Sequence, residues 1–147
     1  MRDQDIQDIR EFNRFYTNII GLLDQHLLSS EFTLPEARVL YELYHLQPCT
    51  ASALMNQLTI DKGYLSRILA QFTKRGLLQK KASKEDGRST LLSLTASGNQ
   101  KFEKINLASI QQVRNMVRPL TADDKARLLQ NMKSIRDILN AAQHDTK

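Results

Sequence analysis

At 147 residues the chain is long enough to bury a core of its own, and its 41% hydrophobic and 25% charged residues describe an ordinary soluble domain. No apolar run approaches the roughly 20 residues needed to span a bilayer, and the start Met-Arg-Asp-Gln-Asp lacks the apolar core of a signal peptide, so a cytoplasmic location is expected. The single cysteine, Cys49, excludes an internal disulfide, and the scattered His26, His45 and His144 lack metal-ligand spacing, so neither a metal nor a cofactor is expected.

From Ile6 the apolar positions Ile9, Phe12, Phe15, Tyr16, Ile19, Leu22, Leu23 and Leu27 recur every three or four residues. This spacing predicts a long amphipathic helix with a wide apolar stripe, ending near Ser29-Ser30. Thr33 or Leu34 then precedes Pro35, a residue at home in a first helical turn, and Ala37, Val39, Leu40, Leu43 and Tyr44 carry the next face until Gln47-Pro48 stops it. Thr50 suits the cap of a short helix holding Ala53, Leu54 and Leu58. Asp61 suits the cap of another, which runs through Leu65, Ile68, Leu69 and Phe72 to the terminating Gly76. Two short helices about the connector Leu58-Thr59-Ile60 make a helix-turn-helix.

After Gly76 the period changes. Leu77 to Ala82 and Thr90 to Leu94 read as short strands about Ser83 to Ser89, with turn chemistry from Asp86-Gly87, which predicts a two-stranded wing. Thr95 reopens helix, and Phe102, Ile105, Ser109, Val113 and Met116 trace its stripe to Pro119. Thr121 resembles a helix start, with Asp123 and Asp124 where the positive end of the helix dipole favours acids. Leu128, Leu129, Met132, Ile135, Ile138 and Leu139 complete this last helix, and about five residues beyond it are expected to fray. The expected fold class is mainly α with a small two-stranded β wing.

The net charge of +5 is modest, but its placement is not even. Lys62 to Thr90 hold eight basic residues against two acids, a balance of +6, while the rest of the chain has thirteen against fourteen, a balance of −1. All the excess positive charge thus sits in one fifth of the chain, on the fourth helix and the hairpin. That is the footprint of a polyanion-binding face, and it makes the hairpin a DNA-binding wing.

The segment LTIDKGYLSRILAQFTKRGLL, Leu58 to Leu78, followed by EDGRSTLLSLTASG, Glu85 to Gly98, resembles the multiple antibiotic resistance regulator (MarR) family of winged helix-turn-helix transcription factors. The likeness rests on the recognition helix, the Asp-x-Arg of the wing and the Leu-Thr that opens the next helix, and the helix order agrees over nearly the whole chain. More narrowly, IREFNRFYTNIIGLLD (Ile9 to Asp24), LPEARVLYEL (Leu34 to Leu43) and DKGYLSRIL (Asp61 to Leu69) look like the regulator half of fusions between such a domain and a GNAT-type acetyltransferase. With the chain stopping at Lys147, no acetyltransferase is expected within it, and a free-standing relative and an excised regulator domain both remain open. The resemblance implies a single MarR-like domain over 1–147. A winged helix-turn-helix would occupy about 34–95 and dimerisation helices about 5–29 and 96–142.

On the fourth helix Leu65, Leu69 and Phe72 claim the buried face and leave Lys62, Gly63, Ser66, Arg67 and Ala70 outward. Arg67 leads as a base reader, because its guanidinium grips guanine with two parallel hydrogen bonds; a phosphate contact or an internal salt bridge is the alternative. Ser66 and Tyr64 are candidates for phosphate or base-edge contacts, Tyr64 equally for packing on a neighbouring helix. Gly63 permits close backbone approach or is simply tolerated near a helix end. Arg88, at the wing tip, suits a narrow minor groove, with Asp86 two residues earlier holding it extended or serving the turn alone. Lys84, with Lys74, Arg75, Lys80 and Lys81, reads as a phosphate contact or a solvated charge.

The broad apolar stripes of the terminal helices exceed what a compact winged helix must cover. The family resemblance implies a homodimer in which the first helix intertwines with the partner's last two, and hence an inverted-repeat operator in double-stranded DNA. It also implies a crevice for a small aromatic ligand, to which Tyr16, Arg38, Tyr41, Tyr44 and His45 are candidate contributors, with core packing as the other use of each. Nothing basic flanks Cys49 to lower its thiol pKa, which argues against a redox sensor. No catalytic triad or paired-carboxylate site supports an enzyme. The competing readings are the regulatory arm of an acetyltransferase and a winged helix that contacts an acidic protein.

Overall fold

A computed structural model of the protein describes residues 1–28, 31–85 and 87–144, with the side chains of 22–28 and 144 excepted. The elements in order are α1 (Asp3–Leu28), α2 (Leu34–Leu46), α3 (Ala51–Gln57), α4 (Lys62–Lys74), β1 (Leu78–Ala82), β2 (Thr90–Leu94), α5 (Ala96–Val117) and α6 (Ala122–His144). Mainly helical with a two-stranded antiparallel sheet, the chain has the expected fold class. The predicted stop at Ser29-Ser30, the stripe side chains Leu22, Leu23 and Leu27, the wing residue Asp86 and the last three residues lie outside the described part. The fold forms two compact units, Met1–Ile110 and Gln111–Lys147.

In the first unit short helices begin where small oxygen-bearing side chains satisfy their first amides. Thr33 opens α2 with a capping box: its hydroxyl accepts from Glu36 N at 3.4 Å, and Glu36 Oε1 accepts from Thr33 N at 3.1 Å. Thr50 accepts from Ala53 N at 3.1 Å to start α3, and Asp61 from Tyr64 N at 3.0 Å to start α4. With their ends fixed, α2, α3 and α4 turn Val39, Leu40, Leu43, Leu54, Leu65 and Phe72 into one core, where Phe32 meets Phe72 edge to face at 6.0 Å. Gly76, at φ 73°, ends the α4 turn in the left-handed region that glycine adopts without strain.

The strands pair from Leu78↔Leu94 to Ala82↔Thr90 and bury Leu78, Leu92 and Leu94 against the helices. Cys49 adds a pairing that the sequence reading did not foresee. It exchanges backbone hydrogen bonds with Leu92, N to O at 3.0 Å and O to N at 2.7 Å, and so ties the α2–α3 connection to the wing. Thr95 then anchors α5: its hydroxyl donates to Gly76 O at 2.6 Å and accepts from Gly98 N at 3.1 Å. Here α5 lies so close to the residue entering β1 that a Cβ on Gly98 would collide with the Leu77 carbonyl oxygen, which gives that glycine a steric reason.

In the second unit α5 runs out at Val117, Leu120 N donates to Val117 O at 3.0 Å across the turn, and Thr121 caps α6 by accepting from Asp124 N at 3.1 Å. The apolar side of α6 is open, with Leu129 and Ile138 each 68% exposed.

Candidate nucleic-acid interface

The α3–turn–α4 segment divides its residues sharply. On α4, Leu65, Ile68, Leu69 and Phe72 repeat at helical spacing and are buried, which turns Lys62, Gly63, Tyr64, Ser66, Arg67, Ala70, Gln71 and Lys74 outward. Arg67, Ala70, Gln71 and Lys74 line one shallow groove along that outer side. The predicted separation of core from surface is therefore present. It also adds Gln71, an amide of the type that pairs with adenine; its helical spacing from Arg67 was the signal for it in the sequence.

Arg67 and Tyr64 are brought together: the guanidinium carbon stands 5.7 Å from the ring centroid, within cation–π range. Arg67 makes no ion pair among the described residues. Tyr64 is 37% exposed and also edges a second groove lined by Leu34, Pro35, Arg38, Leu58, Ile60 and Asp61. At Gly63 a Cβ would stand 3.2 Å from Asp61 Oδ2, the atom that caps the helix, so the missing side chain keeps that cap uncrowded.

In the hairpin the outward side chains include Lys80, Lys81, Lys84, Glu85 and Arg88, all exposed, and Ser83 N donates to Ser89 O at 2.8 Å to narrow the loop. Arg88 sits at the tip as expected; its proposed partner Asp86 is outside the described residues.

Arg75 differs from its reading as a phosphate contact or solvated charge. Its Nη2 is 2.7 Å from Glu31 Oε2, its Nη1 3.7 Å from Glu36 Oε2, and its guanidinium lies 4.6 Å over the Phe32 ring. Lys101 of α5 closes on the other Glu31 oxygen at 2.5 Å. The Lys101 ammonium first, and then the Arg75 guanidinium, hold the Glu31 carboxyl below the usual carboxylate range. Sequence spacing carried no signal for this cluster, because its partners lie 44 and 70 residues apart.

The five residues suggested for a ligand crevice divide. Tyr41, Tyr44 and His45 gather around Phe102, with Tyr44 at 4.3 Å from that ring, Tyr41 at 6.0 Å and His45 at 6.0 Å. Arg38 lines the groove beside Tyr64 instead, and Tyr16 stacks on Phe12 of its own helix at 5.7 Å. Gln47 is a further polar hub that sequence reasoning missed. Its Oε1 accepts from Leu94 N at 2.8 Å and its Nε2 donates to Asn99 Oδ1 at 2.9 Å, joining α2, β2 and α5. Burial pushes the Cys49 thiol up, the direction of an inert cysteine. Among the described residues no helix is long and apolar enough to cross a membrane.

A helix-turn-helix whose second helix shows a polar outer face, followed by a basic hairpin, defines a winged helix-turn-helix protein. Residues 32–90, about two fifths of the chain, match the family model described as "MarR family". It is 32% identical over 95 residues to the organic hydroperoxide resistance transcriptional regulator of Bacillus subtilis (strain 168), a match covering 65% of this chain and 60% of that protein. The matched part spans 60% of the length of the curated relatives. Among solved structures, Streptococcus pneumoniae FabT in complex with DNA shares the fold at a TM-score of 0.81 and 16% identity, over 92% of this chain and 98% of that one. The PcaV transcriptional regulator of Streptomyces coelicolor with its natural ligand does so at 0.68 and 24% identity, over 86% and 89%.

Proposed function

We propose that the protein is a transcriptional regulator that binds double-stranded DNA sequence-specifically as a homodimer. The observation that carries this is the division of α4: its apolar side closes the core while Ser66, Arg67, Gln71 and Lys74 form a polar, basic outer side next to a hairpin bearing Lys80, Lys81, Lys84 and Arg88. A helix with that outer side suits the major groove, roughly 12 Å wide, and a thin basic hairpin suits the adjoining minor groove. FabT, alike over most of the chain, has been seen bound to DNA, which supports the reading.

The dimer is supported by apolar faces left open on α1, with Phe15 59% exposed, and on α6. A two-fold pair would set two recognition helices about 34 to 36 Å apart and favour an inverted repeat. The aromatic group of Tyr41, Tyr44, His45 and Phe102 supports a site for a small aromatic ligand; PcaV, of the same fold, was solved with its ligand. A cytoplasmic regulator without catalytic activity of its own fits these features. The narrower kinship with regulator halves of acetyltransferase fusions rests on Ile9 to Asp24, Leu34 to Leu43 and Asp61 to Leu69, and is tested by reading the gene past Lys147.

Selection of duplexes from a random pool tests the function. An inverted repeat should emerge, and each phosphate neutralised should contribute about −0.9 to the slope of log affinity against log salt, giving several units in total. A pool that never narrows, or an affinity indifferent to salt, would overturn the proposal.

A further inference from the structure

Arg75 caps the C-terminal end of α4 and faces away from the outer side of that helix. Its backbone N donates to Gln71 O at 2.9 Å, and its side chain is only 28% exposed. Three residues of one short stretch meet at this guanidinium. Glu31 comes from the approach to α2; Glu36 comes from the first turn of α2, where its other oxygen completes the capping box; Phe32, only 3% exposed, lies beneath. Through Glu31 the cluster reaches Lys101 and hence α5. A single exposed ion pair contributes little. Here one planar fork is shared by two carboxylates and stacked on a buried ring, an arrangement that fixes direction as well as distance.

The Asp61 cap at the opposite end is a bond within α4's own first turn and ties it to no other element. The Arg75 cluster, in contrast, ties the C-terminal end of α4 by side chains to the start of α2 and, through Glu31 and Lys101, to α5. We propose that Arg75 and Glu31 are positioning residues for the DNA interface: they hold the recognition helix in its binding pose and do not themselves touch DNA. This rests on the DNA-binding reading above and deepens it.

Charge counting and positioning predict opposite signs for Glu31. Removing an acid near a polyanion strengthens binding if charge alone matters, whereas removing the group that holds Arg75 weakens binding if pose matters. For Arg75 the salt dependence separates the roles, because giving up a phosphate flattens the slope and giving up a positioning interaction does not.

The experiment uses the full chain and the duplex that the wild type enriches, with affinity measured across a salt series for Glu31→Gln, Arg75→Gln, their double variant, Arg75→Lys and, as comparator, Lys74→Ala. Each single neutral variant should weaken binding about three- to tenfold, and the double no more than the worse single, since both remove one coupled interaction. Arg75→Lys should recover part of the loss. The slopes of these variants should stay at the wild-type value, while Lys74→Ala should flatten its slope by about 0.9 for each phosphate no longer neutralised. Affinities are referred to the folded fraction from each variant's melt, so a role in stability alone would leave them unmoved and would overturn the proposal. So would Glu31→Gln binding as tightly as wild type or tighter, or Arg75→Gln flattening the slope as Lys74→Ala does. Should Arg75→Gln fail to fold, Glu31→Gln decides by its sign. A wild type that enriches no duplex brings down the DNA-binding reading itself, whereas a wild type that binds, with variants that behave as charges, brings down only the positioning role.

Discussion

The winged lobe and the long terminal helices treat their apolar side chains in opposite ways. In the lobe, α2, α4 and the strands close Val39, Leu40, Leu43, Phe72 and Leu77 to below 2% exposure, and each short helix starts on a cap that satisfies its first amides. On α1 and α6 the stripes are just as regular, yet Ile9, Phe12 and Phe15 on the one and Ile135, Ile138 and Leu139 on the other stay exposed. Period alone therefore says which face of a helix is apolar, and not whether the same chain will cover it. On the dimer reading proposed above, the rows of large apolar groups facing water on α1 and α6 are the surface a second copy of the chain would cover.

The sharpest way to break this contrast is to damage each region in turn. Phe72→Ala empties the centre of the lobe and should cost about 3 to 5 kcal/mol of unfolding free energy, read from a denaturant midpoint at unchanged slope. A loss below about 1 kcal/mol, close to the range of ordinary surface changes, would mean that the lobe is not the centre of stability. Phe15→Asp with Ile138→Asp should do the reverse, leaving the lobe folded while weakening self-association by about 2 kcal/mol or more, the scale of a central interface residue. Sedimentation at micromolar concentration should show twice the chain mass for wild type and a shift toward single chains for the variant. A wild type already monomeric there would remove the dimer and the meaning given to the open faces.

Within the lobe the same contrast can be drawn between recognition helix and wing. Arg67→Ala should cost about 1 to 3 kcal/mol on the selected duplex and relax discrimination at one base pair per half-site, since it removes the proposed two-pronged grip on guanine. Arg88→Ala should lower affinity while most of the sequence preference survives, since the minor groove offers nearly the same acceptors for A·T and T·A. Both are measured against every single-base change of one half-site at fixed salt. Equal weakening on all sequences by Arg67→Ala would make Arg67 a phosphate clamp.

What was legible in the sequence was local. Thr50, Asp61, Thr95 and Thr121 announce helix starts because a cap is an interaction across three residues, and the switch from helical to alternating period after Gly76 is a property of neighbours; at the start of α2 the sequence left Thr33 and Leu34 both open, and the capping box falls on Thr33. The outward face of α4 follows from the same arithmetic. Pairings over long separations were not legible. Nothing near Arg75 announces Glu31, 44 residues away, and nothing near Cys49 announces its pairing with Leu92. Tyr44 and Phe102 become neighbours only once α2 and α5 have packed. Composition located the basic face to within one fifth of the chain, but it counted Arg75 as part of that face, because a formal charge carries no information on the carboxylates that occupy it.

The smallest expected effect lies in the Glu31 cluster and is read by pH. Lys101 and Arg75 hold the Glu31 carboxyl below its ordinary range in the folded protein, so folding favours its ionised form. A carboxyl whose folded pKa is depressed contributes stability that is fully present above its unfolded pKa, here the ordinary 4.5, and is lost as pH falls through the lower folded value. Because the group is largely in water, screening keeps the contribution within the range of about 0 to 1 kcal/mol found for exposed pairs. Other carboxylates titrate over the same window, so the useful quantity is a difference between proteins: the stability of wild type minus that of Glu31→Gln, followed from neutral pH into the acid range. That difference should be positive and level at neutral pH, and shrink as pH drops below 4.5 and the wild-type carboxyl takes up the proton that makes it resemble the amide. If it stays constant across the acid range, the cluster is not stabilised by the Glu31 charge; if it grows, the sign assigned to the shift is wrong.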